Sequence, residues 1–173
     1  EVSVNDKPWK LMEERRSDSM KTSYSLPLES RDRILWRVAV ADENGVYDSW
    51  SQPAFFEMGL LEKKEWKASF IMGNYEHSKS PKVRYPVDCF KKTFRIKKEK
   101  LVRARLYITA CGLYETKING TKVGDAVLTP GSTAFQKREH YQTYDVTEQL
   151  TEGSNAIGMH VGDGWYLCPQ SLP

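Results

Sequence analysis

The sequence predicts an all-β chain built as two antiparallel sandwiches in series. Three observations carry that prediction. Apolar and polar residues alternate from Val102 to Ala110, with Val102, Ala104, Leu106, Ile108 and Ala110 on one face and Arg103, Arg105, Tyr107 and Thr109 on the other. That period of two marks a half-buried strand. Asn119-Gly120 sits between the strand-like runs 112–118 and 121–123, and Asn-Gly is the strongest short hairpin signal. Helical periodicity is scarce: only Trp9 to Arg16 reads as a helical turn, too short to carry a fold.

Taken in order, the first strand signal is Ile34 to Ala41, rich in β-formers. A turn at Asp42-Glu-Asn-Gly45 supplies the positive φ that Asn or Gly tolerates, and strand-like runs at 46–51 and 54–57 follow. The order Trp36-Arg37-Val38, Asp42, Gly45, Ser49-Trp50-Ser51, Pro53, Phe56 resembles the closing strands of a fibronectin type III domain. Ile34 and Leu35 stand where such domains carry a corner tyrosine. A full domain of that type needs about seven strands in roughly 100 residues, so residues 1–61 read as an incomplete one.

Residues 57–61 and 66–71 lead into a second domain, taken as 62–173, through a polar loop at 74–86. Phe90, Phe94 and Ile96 share one strand face. The Val102–Ala110 strand and the Asn-Gly hairpin come next. Gly124 to Gln142 is a long connection of the kind that is often functional. Thr143 to Val146 is a short strand, Gly153 to Asn155 a turn, and Ile157, Met159 and Val161 face inward on the last strand, which Gly162-Asp-Gly-Trp-Tyr166 ends. Roughly six strands fall short of the eight of a jelly roll. The second domain therefore reads as jelly-roll-like and incomplete at its C-terminal end.

The chain has 173 residues, 28% of them charged, with a net charge of +3. Its lysines are scattered, and the densest basic run, Lys97-Lys98-Glu99-Lys100, reads as a solvated turn, so no nucleic-acid partner is expected. No run of 18 apolar residues suggests a membrane helix. The chain starts at Glu1 without a leader, which reads as a processed form or a fragment. Cys89, Cys111 and Cys168 are odd in number and lack metal-like spacing; the first two read as free core thiols. His77, His140 and His160 also lack ligand spacing, and no nucleophile triad or phosphate loop is present.

Two constellations have chemistry to offer. In Asp163-Gly164-Trp165-Tyr166 an indole face can stack on the apolar side of a pyranose while a carboxylate accepts hydrogen bonds from its hydroxyls. The plainer alternative is that Trp165 and Tyr166 pack at a domain boundary. The long connection offers Asp125, Arg138, His140 and Tyr141 to a sugar site. The plainer alternative there is a loop tied down by Tyr141 and Tyr144.

Ala104-Arg-Leu-Tyr-Ile108, Gly112-Leu-Tyr-Glu115, Ile118-Asn-Gly120, Val123-Gly-Asp125, Pro130-Gly131, Tyr141-Gln-Thr-Tyr-Asp-Val-Thr147 and Gly162-Asp-Gly-Trp-Tyr166, in that order and spacing, resemble the N-terminal β-sandwich of bacterial α-L-rhamnosidases. The likeness covers residues 34 to 166. It departs after Tyr166, where Leu167-Cys-Pro169 replaces the family's glycine and basic residues. The resemblance implies a scaffold, with possible glycan contact, inside a glycosidase that releases terminal α-L-rhamnose with inversion, by one carboxylic acid and one carboxylate flanking a water. The family keeps those carboxylates in a helical barrel, and no acidic residue here matches them. The implied partners are rhamnose-containing glycans and that catalytic barrel. Some relatives hold calcium on a jelly-roll domain, but no calcium ligands are assignable here. The compartment is open, a periplasmic or secreted setting being favoured over the cytoplasm. The alternative is an autonomous carbohydrate-binding or adhesion module, since a fold does not fix a function.

Overall fold

The computed structural model describes residues 1–12, 23, 25–76 and 85–166. Readings that fall on 13–16, His77 and 167–169 lie outside them. Among the described residues the chain is all-β, with antiparallel strands and three single turns of 3₁₀ helix. It divides into two compact units, Glu1–Ala68 and a second beginning at Ser69.

The first unit is a three-stranded sheet of β1 (Val2–Val4), β2 (Arg33–Trp36) and β3 (Ala54–Glu57), with β2 central. Ile34 is its most buried side chain. Lys10 is not helical; it exchanges two backbone hydrogen bonds with Val2, both 2.9 Å. The Arg37 guanidinium lies between the rings of Trp9 and Trp50, 4.4 and 5.0 Å from their centroids, and pairs with the Glu1 carboxylate. This cation–π stack fastens the start of the chain to the sheet.

The run from Ile34 to Ala41 is not one strand. Regular pairing stops at Trp36, and only single contacts join the next residues to 47–51: the amides of Ser51 and Asp48 donate to the carbonyls of Val38 and Val40, and Ala41 bridges Tyr47. The reason is local. Asp42 Oδ1 accepts the amides of Asn44 and Val46 at 2.9 and 2.8 Å, an Asx turn that competes with the ladder.

The second unit holds two sheets. One has four strands in the order β4 (Asp88–Ile96), β9 (Gly153–Gly162), β6 (Leu113–Ile118) and β7 (Thr121–Lys122); the other pairs β5 (Arg105–Ile108) with β8 (Gln142–Asp145). Their inner faces meet in one apolar layer. Ile118, Val123, Val146 and Leu150 form its larger cluster, backed by Phe94, Leu106, Tyr144 and Ile157. Ile108, Ala110 and Tyr114 form the other, backed by Met159 and Val161. This is a β-sandwich with inward residues drawn alternately from each strand.

Asn119 and Gly120 adopt φ of 51° and 86°, positive at both central positions as a type I′ hairpin requires. Val102 departs from the predicted pattern. It is 92% exposed, because a 3₁₀ turn and a bend precede β5 and Leu101 packs inward instead. Cys89 is likewise exposed rather than core, since it lies on the face of β4 opposite Phe90 and Phe94. Asn155 is not in a turn. It is a buried residue of β9, and Asn119 Nδ2 donates to its Oδ1 at 2.8 Å.

Candidate functional site

The end of β9 and the start of β6 are adjacent strand ends, Gly162 pairing with Leu113. Gly112 precedes this pair at φ +123°, and a Cβ there would lie 2.2 Å from the Gly162 carbonyl oxygen. Only glycine lets the two backbones close this far. The chain then turns: the Tyr166 amide donates to the Asp163 carbonyl at 3.1 Å. Trp165 and Tyr166 emerge 38% and 47% exposed, with Asp163 partly buried behind them.

The connection between β7 and β8 is anchored at several points. Thr129 bridges Tyr114, its carbonyl accepting the Tyr114 amide at 2.9 Å and its hydroxyl donating to the Tyr114 carbonyl at 3.1 Å. The amides of Lys137 and Arg138 both donate to the Ala134 carbonyl. The Phe135 ring meets Tyr166 edge-on at 5.3 Å, which joins this connection to the 163–166 turn. Tyr141 packs on Tyr107 at 6.0 Å, and Tyr144 lies in the core. Arg138 and His140 are exposed; the His140 carbonyl accepts the Thr109 hydroxyl at 2.6 Å. Asp125 is exposed. Among the described residues neither the Arg138 nor the His140 side chain bonds to Asp163, so only Trp165, Tyr166 and Asp163 are gathered by one turn.

The connection and β6 also enclose a cleft of about 120 Å³, lined by Tyr114, Thr116, Val123, Leu128 and Tyr144 among others. Val127 and Leu128 project from its rim, 75% and 60% exposed.

A second group escaped the sequence reading. Tyr75 and Tyr85 stack with centroids 5.2 Å apart, and the Tyr75 hydroxyl donates to Asp88 Oδ2 at 3.2 Å. Asp163 is near enough for its charge to act on Tyr75. Burial foremost, then the hydrogen bond to Asp88 and the charges of Asp88 and Asp163, push the phenol of Tyr75 above its ordinary range. Both tyrosines lie within 74–86, which the sequence presents only as a polar loop.

Cys111 is partly buried, and its thiol donates to Glu139 at 3.5 Å. Burial, then that carboxylate, pushes the thiol up to about 11, so it is a poor nucleophile at neutral pH. Among the described residues no group of three or more His, Cys, Asp or Glu is placed to hold a metal ion. Among those residues no helix is long and apolar enough to cross a membrane.

Residues 99–172 match the family model for the α-L-rhamnosidase N-terminal domain, and residues 1–62 match that for the Rha78A-like N-terminal immunoglobulin domain. An α-L-rhamnosidase of Alteromonas sp. is 40% identical over 80% of this chain and 15% of its own length. One from Formosa agariphila is 34% identical over 91% of this chain and 18% of its own. The crystal structure of the Aspergillus terreus α-L-rhamnosidase superimposes with a TM-score of 0.81 at 35% identity, covering 95% of this chain and 19% of that one. The Dictyoglomus thermophilum structure gives 0.70 at 37% identity, over 80% and 17%. The likeness thus reaches beyond bacterial enzymes, and the chain spans less than a fifth of the length of each relative. An immunoglobulin-type unit followed by an antiparallel sandwich bearing the α-L-rhamnosidase motifs places this chain in the N-terminal region of the α-L-rhamnosidase family.

Proposed function

We propose that the chain is a non-catalytic N-terminal scaffold of a glycosidase that removes terminal α-L-rhamnose with inversion, and that its second unit, a jelly-roll-like sandwich, seats against the catalytic barrel of the parent polypeptide. The observation that carries this reading is the apolar rim of Val127 and Leu128. Two adjacent aliphatic side chains stand exposed on a connection whose next residue, Thr129, is bonded to β6 at both its carbonyl and its hydroxyl. Ordered apolar surface of this kind marks an interface. The first unit, fibronectin type III-like in the order of its closing residues, adds exposed Phe55 and Val40.

Glycan contact at Asp163, Trp165 and Tyr166, with Arg138 and His140 on the neighbouring connection, is the second part of the proposal. The half-exposed indole beside a carboxylate supports it. The same feature would serve an autonomous carbohydrate-binding module.

The test compares Val127→Ser/Leu128→Ser in two settings. In the 173-residue chain the double substitution should leave the unfolding midpoint unchanged, because both side chains already face water. In the full-length enzyme it should lower the melting temperature by several degrees. Equal behaviour in both settings would refute the scaffold reading.

A further inference from the structure

We infer that Tyr75, Tyr85, Asp88 and Asp163 form a subsite for one neutral pyranose ring, the tyrosine pair acting as platform and the carboxylates as acceptors for ring hydroxyls. This deepens the glycan part of the reading above and rests on it. It moves the centre of contact from the indole of Trp165 to a different set of side chains.

Three segments of the second unit converge here: the lead-in at 69–76, the start of β4 and the end of β9. The pairing of Asp88 with Val161 brings the last two together. The platform is fixed before any ligand arrives. Tyr75 folds back over Gly73, where a Cβ would lie 2.1 Å from its ring and 2.8 Å from Asp88 Oδ1. Its hydroxyl is held by Asp88 and its ring lies on Tyr85. A pre-set platform spares the ordering cost of binding.

The chemistry selects the ligand class. Aromatic faces accept the C–H face of a pyranose, and ionised carboxylates only accept hydrogen bonds, which suits hydroxyl donors. Two carboxylates repel a uronic acid or a sulfated sugar. A bound cation would need further oxygen donors, and the described residues supply no third acidic, histidine or cysteine ligand.

The experiment is amide NMR of the intact 173-residue chain titrated with methyl α-L-rhamnopyranoside, with glucuronate and calcium chloride as separate arms. We expect saturable shifts at the amides of Gly73, Asp88 and Asp163 with the rhamnoside and none with glucuronate. Asp88→Asn and Tyr75→Ala should each weaken binding about tenfold, a loss of about 1.4 kcal/mol, and Trp165→Ala should weaken it less. Should Tyr75→Ala fail to fold, Asp88→Asn still decides. Rhamnoside shifts abolished by Trp165→Ala but indifferent to Asp88→Asn would overturn this subsite and leave the Trp165 contact standing. No rhamnoside shift at all, or shifts with calcium alone, would overturn both.

Discussion

Asn155 is polar and only 2% exposed, so both ends of its amide need partners inside the protein. Its Oδ1 accepts the Thr151 amide at 2.9 Å and Asn119 Nδ2 at 2.8 Å, while its Nδ2 donates to the carbonyls of Thr151 at 2.8 Å and Gly153 at 3.1 Å. Asn155→Ala removes these four bonds and a longer one from the Thr151 hydroxyl at 3.3 Å. Each is worth about 1 kcal/mol net. Thr151 and Asn119 are exposed enough to recover part of that from water, whereas the void left behind adds to the loss. The balance is a destabilisation of about 2–4 kcal/mol, confined to the second unit. Urea unfolding followed by circular dichroism measures it, with the first unit's transition as an internal reference that should stay in place and an unchanged slope as the sign of a pure stability effect. Asn119→Ala combined with Asn155→Ala should cost less than the sum of the two alone, since they share a bond. A loss below about 1 kcal/mol, or strict additivity, would refute the claim that this amide network fastens the hairpin tip to β9.

Gly112→Ala should cost the second unit about 2–4 kcal/mol, because the added methyl meets the Gly162 carbonyl and the residue must hold φ +123°; the same urea assay reads it. With Cys168 replaced, iodoacetamide at pH 8 should modify exposed Cys89 first, and mass spectrometry of timed quenches should find Cys111 slow until the pH nears 11. The Cys111 thiol holds its proton more tightly in the folded chain than the ordinary value of 9. It therefore supports the fold fully below pH 9, and that support is lost as the pH rises from 9 through about 11.

The strands most visible in the sequence are those whose outer face meets water. Leu106, Ile108 and Ala110 follow period two, and Asn119-Gly120 gives its turn type directly, because both signals are local. Val102 fit the same period but lies beyond the last residue that finds a cross-strand partner, and alternation does not reveal where pairing begins. The run after Trp36 failed for a related reason. Its β-forming residues compete with an Asx turn five positions after Arg37, and propensity alone does not weigh the two. Asn155 was missed because a polar residue reads as turn-forming unless its partners are known, and Asn119 lies 36 residues away. Of the candidate site, Asp163, Trp165 and Tyr166 were legible as contiguous residues. The Tyr75–Asp88 bond was not, since it depends on how a polar loop returns to the start of β4.

The four-stranded sheet ends at β4, its longest strand but one, which among the described residues pairs only with β9. The outward-pointing backbone groups of this nine-residue edge strand are the kind that can template another copy of the chain. Along it stand Lys91, Lys92 and Arg95, all exposed. A second β4 laid antiparallel would bring like charges together across a narrow strand spacing, so this edge repels its own copies. Neither the core nor the candidate site uses these three basic side chains, so a variant that neutralises them should keep its fold and self-associate more readily, which light scattering would measure.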